Sequence, residues 1–279
     1  PYHTYRDYFN VSTAIAVSPE SGIGTVNTIR NTKFETTFTG EVGLRGNYST
    51  IFNYAMEVSP VDESNLNQSL IIVTPNTIDY GGITEMWTDG SAIAFCPLSE
   101  DSYPYDARGI IQHEAGGHGF GKLGDEYIYH NTFIDFCDCT CCEHVFEFNI
   151  AKSLGWYENL SLTGKMHEVP WSHLIFDDRY SDVVDIYEGG FMHARGVFRS
   201  EQNSCMNNNI SYYNAISREA IVKRIMEYAG ESYSFEKFVE NDKRDAVNSL
   251  SRSAERPGVT VRGNQYAPRI HKGKPDILK

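Results

Sequence analysis

The spacing of apolar and polar positions along the chain predicts alternating helices and strands. Over residues 49–58, apolar side chains recur every three or four positions, which is the pattern of a helix with one buried face. Short apolar runs that end near proline or glycine predict buried strands instead. The predicted helices cover residues 49–58, 143–155, 217–228 and 234–239. The predicted strands cover residues 8–17, 70–74, 91–96 and 183–187.

One motif combines metal-binding side chains at an unusual spacing. It reads H-E-x-x-x-H from His113 to His118. On a regular α-helix, residues five positions apart diverge by about 140°, so both side chains could not contact one ion. A wider, π-type turn restores the alignment, and Gly116 and Gly117 give the backbone the freedom to form it. We therefore predict a π-type bulge here, with Gly121 ending the helix and turning the chain back.

The residue types of this motif suit a zinc hydrolase. A catalytic zinc takes three protein ligands and keeps one open position for water. His113 and His118 are two candidate ligands, and Asp125 is the candidate third, with Glu126 in reserve. Glu114 follows the first histidine, where a carboxylate can act as general base towards an activated water and then protonate a leaving amine. The motif thus predicts a Zn²⁺ site for peptide hydrolysis.

Together with a later methionine segment, the motif resembles the IgA-peptidase family of bacterial zinc metallopeptidases. In that family the active-site helix runs into Gly-x-Leu-x-Asp-Glu-Tyr, which residues 121–127 match, and the metzincin arrangement adds a distant methionine turn. The resemblance covers about residues 70–230 and includes residues 187–190, 196–200, 204–206 and 217–225. It implies that His113, His118 and Asp125 bind zinc. It also implies that Met206 lies in a Met-turn beneath the metal.

The resemblance further implies a zincin/metzincin-like fold of the α/β (α+β) class, in a single two-lobed catalytic domain. The upper lobe, residues 1–127, would hold a mixed twisted sheet and the active-site helix. The lower lobe, residues 128–250, would be mainly helical and carry the Met-turn. Beyond the resemblance, the charged and turn-rich composition of residues 251–279 predicts an extended tail. Residues 91–96 would be the edge strand that hydrogen-bonds an extended substrate.

Two intervals differ from the metzincin pattern and leave alternatives open. Each is one residue longer, and the usual third-ligand position falls on Gly124, which has no side chain to bind metal. In the gluzincin arrangement the third ligand is a glutamate from a following helix, here Glu143 or Glu147. Tyr212 and Tyr213 are candidates either to place a phenol near the oxyanion or to pack in the core.

The composition of the chain limits the classes of molecule that it is expected to bind. A net charge of −13 and a pI near 5.1 argue against nucleic acid or an anionic membrane surface as partner. No run of about 18 apolar residues occurs, so no transmembrane segment is predicted. We expect a protein or peptide substrate, and the oligomeric state is left open. The chain begins at Pro1 without an initiator methionine, which suggests a processed or truncated product.

The cysteines favour an exported protein. Four of the six lie between Cys137 and Cys142, which is cramped for one tetrahedral metal ion, so disulfides are favoured over a second zinc site or reduced thiols. Cys205 is a candidate for a disulfide with Cys96. The expected location is secreted, periplasmic or at the bacterial cell surface.

The leading functional hypothesis is a zinc-dependent endopeptidase with Glu114 as general base. The main alternative is a catalytically inactive zincin-fold protein that binds host or cell-wall glycopeptides, because the inserted residue has disabled the site. A third hypothesis is an exopeptidase. Five further histidines are interpreted as ordinary polar residues: His130, His144, His167, His173 and His193.

Overall fold

The computed structural model describes residues 1–40, 42–58, 60–134, 141–244 and 267–277, without the side chains of residues 141–143. The chain divides into two compact units. The first unit comprises Asn10–Phe120 and Arg262–Lys279, and the second comprises Pro1–Phe9 and Gly121–Val261. The cysteine cluster at 137–142 and its predicted disulfides lie outside the residues whose side chains are described.

Helices and strands alternate irregularly in both units. The strands are β1 (Thr37–Phe38), β2 (Leu44–Arg45), β3 (Leu70–Val73), β4 (Ile83–Trp87), β5 (Ala92–Phe95), β6 (Ile128–Phe133), β7 (Leu160–Ser161), β8 (Tyr187–Gly190), β9 (Met192–Arg199) and β10 (Arg269–His271). The helices are α1 (Tyr48–Met56), α2 (Ala107–Ile110), a π-helix (Ile111–Phe120), α3 (Cys141–Ser153), α4 (Ser172–Ile175), α5 (Cys205–Asn208), α6 (Ala215–Ala229) and α7 (Phe235–Asn241). The chain is therefore mixed α/β, compatible with the predicted α+β class.

The first unit is built on a mixed sheet with the strand order β10-β4-β5-β3. Strand β3 pairs in parallel with β5, and β10 pairs in parallel with β4, whereas β4 and β5 are antiparallel. The strands predicted over residues 70–74 and 91–96 are confirmed as β3 and β5. The prediction that residues 91–96 form the edge strand was wrong, because β5 is paired on both sides. Its continuous burial is typical of such an interior strand.

Helix α1 covers one side of this core. The helix predicted over residues 49–58 is confirmed, and the side chain of Asn47 caps its first turn by accepting a backbone N–H. The helix buries Ile51 and Phe52 completely or nearly so. The rings of Phe52 and Trp87 meet edge to face with centroids 4.9 Å apart, so α1 packs on β4.

Part of the predicted tail belongs to the sheet. Strand β10 pairs with β4, where the fully buried carboxylate of Glu85 lies 2.7 Å from His271 Nε2 and accepts from Arg269 at 3.3 Å. The same carboxylate accepts a hydrogen bond from the Tyr48 hydroxyl at 2.8 Å. The His271 ring also stacks on Trp87 at 4.7 Å. These contacts fix residues 269–271 against the sheet.

Two predicted strands do not form. Residues 9–17 form no strand, and Val11 and Ile15 are 88% and 83% exposed, so their β-branched side chains have no sheet surface to pack on. Over residues 183–187, the amides of Val183 and Val184 bond back to one upstream carbonyl and form turns instead. Strand β8 begins only where the predicted strand ends.

The second unit holds a sheet with the order β6-β9-β7, and β8 also pairs with β9. The region over residues 128–250, predicted to be mainly helical, therefore contains this sheet as well as five helices among its described residues. The helices predicted over residues 143–155, 217–228 and 234–239 are confirmed as α3, α6 and α7. Gly230 ends α6 in the left-handed conformation, which glycine adopts without strain. Within the described ranges, none of the helices has the length and apolar character needed to cross a bilayer.

The expected disulfide between Cys96 and Cys205 was wrong. Both cysteines are buried, and neither is disulfide-bonded. Burial raises the pKa of the Cys96 thiol well above its usual value, and the charge of Glu114 raises it further. The thiol is therefore protonated at neutral pH, which suits an inert core position.

Candidate metal centre

The helix that carries the motif changes type along its length. It begins with α2, whose first turn is capped by the side chain of Asp106 accepting from the Gly109 amide at 3.1 Å. It then continues without a break as the π-helix Ile111–Phe120. The predicted π-type geometry at Gly116 and Gly117 is confirmed. It is more extensive than a single bulge, because the π-helix runs over 10 residues.

The π-helix packs on strand β5. Ile110 and Ala115 are buried in one apolar cluster with Ala94 and Cys96. The neighbouring Ile111 is 39% exposed. Consecutive residues of a helix point in different directions, and the sheet accommodates only one of the two side chains.

The two histidines of the motif converge. In a π-helix the hydrogen bonds join residues five positions apart, so residues with this separation lie on one face. The Nε2 atoms of His113 and His118 are 3.0 Å apart, and the two rings are nearly perpendicular. A tetrahedral zinc about 2.0 Å from two nitrogen atoms holds them about 3.3 Å apart. The pair is therefore already close to the separation that one shared ion needs.

Asp125 completes a group of three buried side chains. One ligand atom from each of His113, His118 and Asp125 lies within 4.8 Å of the others. This group can hold a metal ion, and it contains the residue predicted as third ligand. Glu147, the alternative from the following helix, is not in the group, and the side chain of Glu143 lies outside the described residues.

The chain turns after the π-helix at a residue that the sequence did not indicate. The left-handed backbone conformation belongs to Lys122, with φ of 51°, and not to Gly121. The Lys122 carbonyl accepts the Tyr157 amide at 2.8 Å, and its ammonium lies 4.9 Å from the centre of the Trp156 ring. These contacts stabilise a conformation that is unfavourable for a residue with a side chain.

Asn159 holds the turn that presents Asp125. Its Oδ1 accepts from the Gly124 amide at 2.9 Å, and its Nδ2 donates to the Gly124 carbonyl at 2.8 Å and to Glu126 Oε1 at 2.8 Å. Asn159 is fully buried. A Cβ added at Gly124 would lie 2.6 Å from Leu160, so the turn also requires glycine. Asn159 could not be identified from the sequence, because no local motif marks a side chain so distant along the chain.

Glu126, the reserve ligand, is not in the group of three buried side chains and is hydrogen-bonded to other residues of the second unit. Its Oε1 accepts from Asn159 and from Asn214 Nδ2, the latter at 2.7 Å, and its backbone amide donates to the Met206 carbonyl at 2.7 Å. Burial raises the pKa of the Glu126 carboxyl to about 7, against the opposing effect of its polar neighbours. The structure therefore brings Asp125, and not Glu126, together with the histidines.

Glu114 is oriented by strand β4. The Thr84 hydroxyl oxygen lies 2.8 Å from Glu114 Oε2 and 2.9 Å from the Glu114 carbonyl oxygen. The hydroxyl has one hydrogen, so it donates to one of these acceptors at a time. A Cβ placed on Gly82 would come within 3.0 Å of Cγ and Oε1 of Glu114. Thr84 and Gly82 thus restrict the position of the predicted general base, and sequence analysis identified neither.

Met206 lies in a short capped turn. The Ser204 side chain accepts from the Met206 amide at 3.0 Å and caps α5, and Asn209 ends the turn with φ of 59°. Met206 is fully buried. Its backbone carbonyl is the acceptor for the Glu126 amide, which connects this turn to the residue after Asp125. The predicted position beneath a metal remains a prediction.

The two tyrosines after Met206 are buried. The Tyr212 hydroxyl donates to Glu201 at 2.5 Å, and the Tyr213 ring packs edge-on against Tyr2 at 6.0 Å. These contacts favour the packing alternative over an oxyanion role. His167, stacked 5.0 Å from its aromatic neighbour, and His173, 2.8 Å from a glutamate, fit the ordinary roles predicted for them.

Comparison with known proteins adds no identity to this site. No known family matches the chain, and no curated protein matches it. The functional inference therefore depends on the residues of the site themselves.

Proposed function

We propose that the protein is a zinc-dependent endopeptidase. The observation that carries the proposal is the convergence of His113, His118 and Asp125, each buried, with ligand atoms within 4.8 Å of one another. Two imidazoles and one carboxylate form a donor set typical of catalytic zinc, which keeps a further position for water and substrate. Glu114 directly follows the first ligand, which is the place of the general base in the H-E-x-x-H motif.

His113 and His118 would hold the ion through their Nε2 atoms, and Asp125 through a carboxylate oxygen. When bound, zinc supplies Lewis-acid chemistry: it polarises a substrate carbonyl and makes water more acidic. The π-helix matters because it points both imidazoles to one place. A straight α-helix would have separated them.

Glu114 would move the proton. Its carboxylate accepts a proton from the attacking water as the water oxygen bonds to the scissile carbonyl carbon. The same carboxyl group then gives that proton to the leaving amine nitrogen as the C–N bond breaks. Thr84, hydrogen-bonded to Oε2, keeps the Glu114 side chain in position for both transfers.

The finer features of the sequence analysis belong to the same proposal. They are a metzincin-like fold, a Met-turn at Met206, a relation to the IgA-peptidase family and a secreted, periplasmic or cell-surface location. The backbone bond between Glu126 and Met206 supports the Met-turn, because it joins that turn to the segment that carries the third ligand.

Replacement of Glu114 by glutamine tests the function. Glutamine keeps the shape but cannot accept the proton, so zinc content should stay the same while kcat falls about 10²–10⁴-fold. Activity is measured on a broad peptide library, with cleavage positions mapped by mass spectrometry and a chelator control. Glu63→Gln, an exposed glutamate, is the matched control.

The cleavage map separates the alternatives. Internal cleavage sites support an endopeptidase, and cleavage confined to chain ends indicates an exopeptidase. A zinc-loaded chain that cleaves nothing would contradict the proposal and favour the inactive binding protein. Native-rate cleavage by Glu114→Gln would refute the role of Glu114.

A further inference from the structure

Three histidines lie together in the second unit, away from the motif. His130 on β6 and His193 on β9 are cross-strand partners, with ring centroids 5.7 Å apart. His144 on α3 faces the same place, and its Nδ1 lies 3.0 Å from His193 Nε2. This separation equals that of the Nε2 atoms of His113 and His118. Sequence analysis had interpreted each of the three as an ordinary polar residue.

His193 is oriented as metal-binding histidines are. Its Nδ1 lies 3.1 Å from the Thr132 hydroxyl, which leaves Nε2 directed at His144. Ligand histidines commonly donate the N–H that does not face the metal to an oxygen, which fixes the tautomer and aims the other nitrogen. Thr132 provides that oxygen here.

The surroundings also favour the neutral form of this imidazole. His193 is fully buried by accessible surface. Burial first, and then the neighbouring His144 and His130, lowers the pKa of His193 to about 4.

We propose that His144 Nδ1 and His193 Nε2 bind a second transition-metal ion, Zn²⁺, with His130 as the third ligand. Imidazole nitrogen is a preferred donor for zinc. His130 is exposed and in register beside His193, with the two ring centroids 5.7 Å apart, and we infer that its side chain turns to bring a ring nitrogen to the ion. The ion would join α3 to the β6–β9 pair and would be structural. The proposal is independent of the peptidase function.

Metal content tests the second site when the first has been removed. In the full-length His113→Ala/His118→Ala chain, dialysed against dilute zinc, we expect one retained equivalent. Adding His144→Ala and His193→Ala should remove it. Adding His167→Ala, a histidine outside the cluster, is the matched control and should leave it unchanged. In the otherwise native chain, the His144→Ala/His193→Ala pair should lower zinc content by one equivalent.

Milder variants guard against loss of folding, since His193 is fully buried. His144→Ala alone removes a half-buried side chain, and Thr132→Val removes only the hydroxyl that orients His193. We expect zinc to raise Tm in the His113→Ala/His118→Ala chain and His144→Ala to abolish that rise. Thr132→Val should weaken zinc binding about 10–100-fold. Circular dichroism checks that each variant is folded.

The competing interpretation is one N–H···N hydrogen bond between His144 and His193, with no metal. It predicts no zinc in the His113→Ala/His118→Ala chain and no zinc-dependent change in Tm. Either result would overturn the proposal. Zinc content that persists after both His144 and His193 are replaced would also overturn it, because the ion would then be held by other residues.

Discussion

Asn159 offers the strongest test of how the third ligand is positioned. Its side chain makes three hydrogen bonds, to the Gly124 amide, the Gly124 carbonyl and Glu126 Oε1, at 2.8–2.9 Å. The first two bond both polar backbone groups of the residue directly before Asp125. Asn159→Ala removes all three bonds and leaves the buried backbone groups of Gly124 without this partner.

The expected loss of stability follows from these bonds. A buried hydrogen bond contributes about 1 kcal/mol, and a buried group left without its partner costs about 1–3 kcal/mol. Three bonds at about 1 kcal/mol each therefore predict that Asn159→Ala lowers the free energy of unfolding by at least about 3 kcal/mol. Because the turn carrying Asp125 also becomes less restricted, we expect zinc affinity to fall about 10–100-fold, the range seen when groups that orient ligands are removed.

Two measurements separate stability from positioning. Urea denaturation with chelator present gives the free energy of unfolding without metal, and competition with a zinc-binding dye gives the zinc Kd of folded protein. Asn159→Asp is the informative companion, because one oxygen can still accept from the Gly124 amide while the other repels the Gly124 carbonyl and Glu126. Asn27→Ala, at an exposed asparagine, is the control. Unchanged zinc affinity in folded Asn159→Ala would refute the positioning role, and a loss of stability under 1 kcal/mol would refute the hydrogen-bond estimate.

Three further predictions concern the neighbours of the site. Thr84→Val removes the hydroxyl that contacts Glu114 Oε2. Loss of this hydrogen bond, about 1.5 kcal/mol, should lower kcat about tenfold with zinc content unchanged. An unchanged kcat would exclude a positioning role for Thr84. Gly82→Ala places a methyl group 3.0 Å from Glu114, so kcat should fall more than zinc affinity, and an equal fall in both would indicate general misfolding instead. Glu126 has a folded pKa of about 7, above the usual 4.5, so its contribution to stability is full below pH 4.5 and lost as pH rises through 7. Glu126→Gln stays neutral at every pH. Denaturation with chelator present should therefore show that the free energy of unfolding of Glu126→Gln, relative to that of the native chain, is higher at pH 8 than at pH 5 by up to about 3 kcal/mol. A pH-independent difference would contradict this.

The sequence predicted the structure best where a local pattern of residues was compatible with only one backbone geometry. Two histidines five positions apart can share an ion only if the helix widens, and Gly116 and Gly117 permit that widening, so the π-helix was predictable. Asp125 was predictable as an acidic residue just beyond the helix end. Helix α6 was predictable because its apolar face and the final Gly230 agree.

The rest depended on contacts between distant segments. Asn159 and Thr84 carry no local signal, since their roles arise only when the chain brings them beside Gly124 and Glu114. Residues 8–17 have the composition of a strand but no partner strand. Strand β10 shows the opposite case, because its three residues are too few to predict a strand. It pairs with β4, where His271 contacts the buried Glu85.

A zinc-edge anomalous difference map of zinc-saturated crystals tests the central claim most directly. The account predicts a peak about 2.0–2.2 Å from His113 Nε2, His118 Nε2 and a carboxylate oxygen of Asp125. Absence of a peak there, or a peak ligated by Glu126 in place of Asp125, would contradict the account.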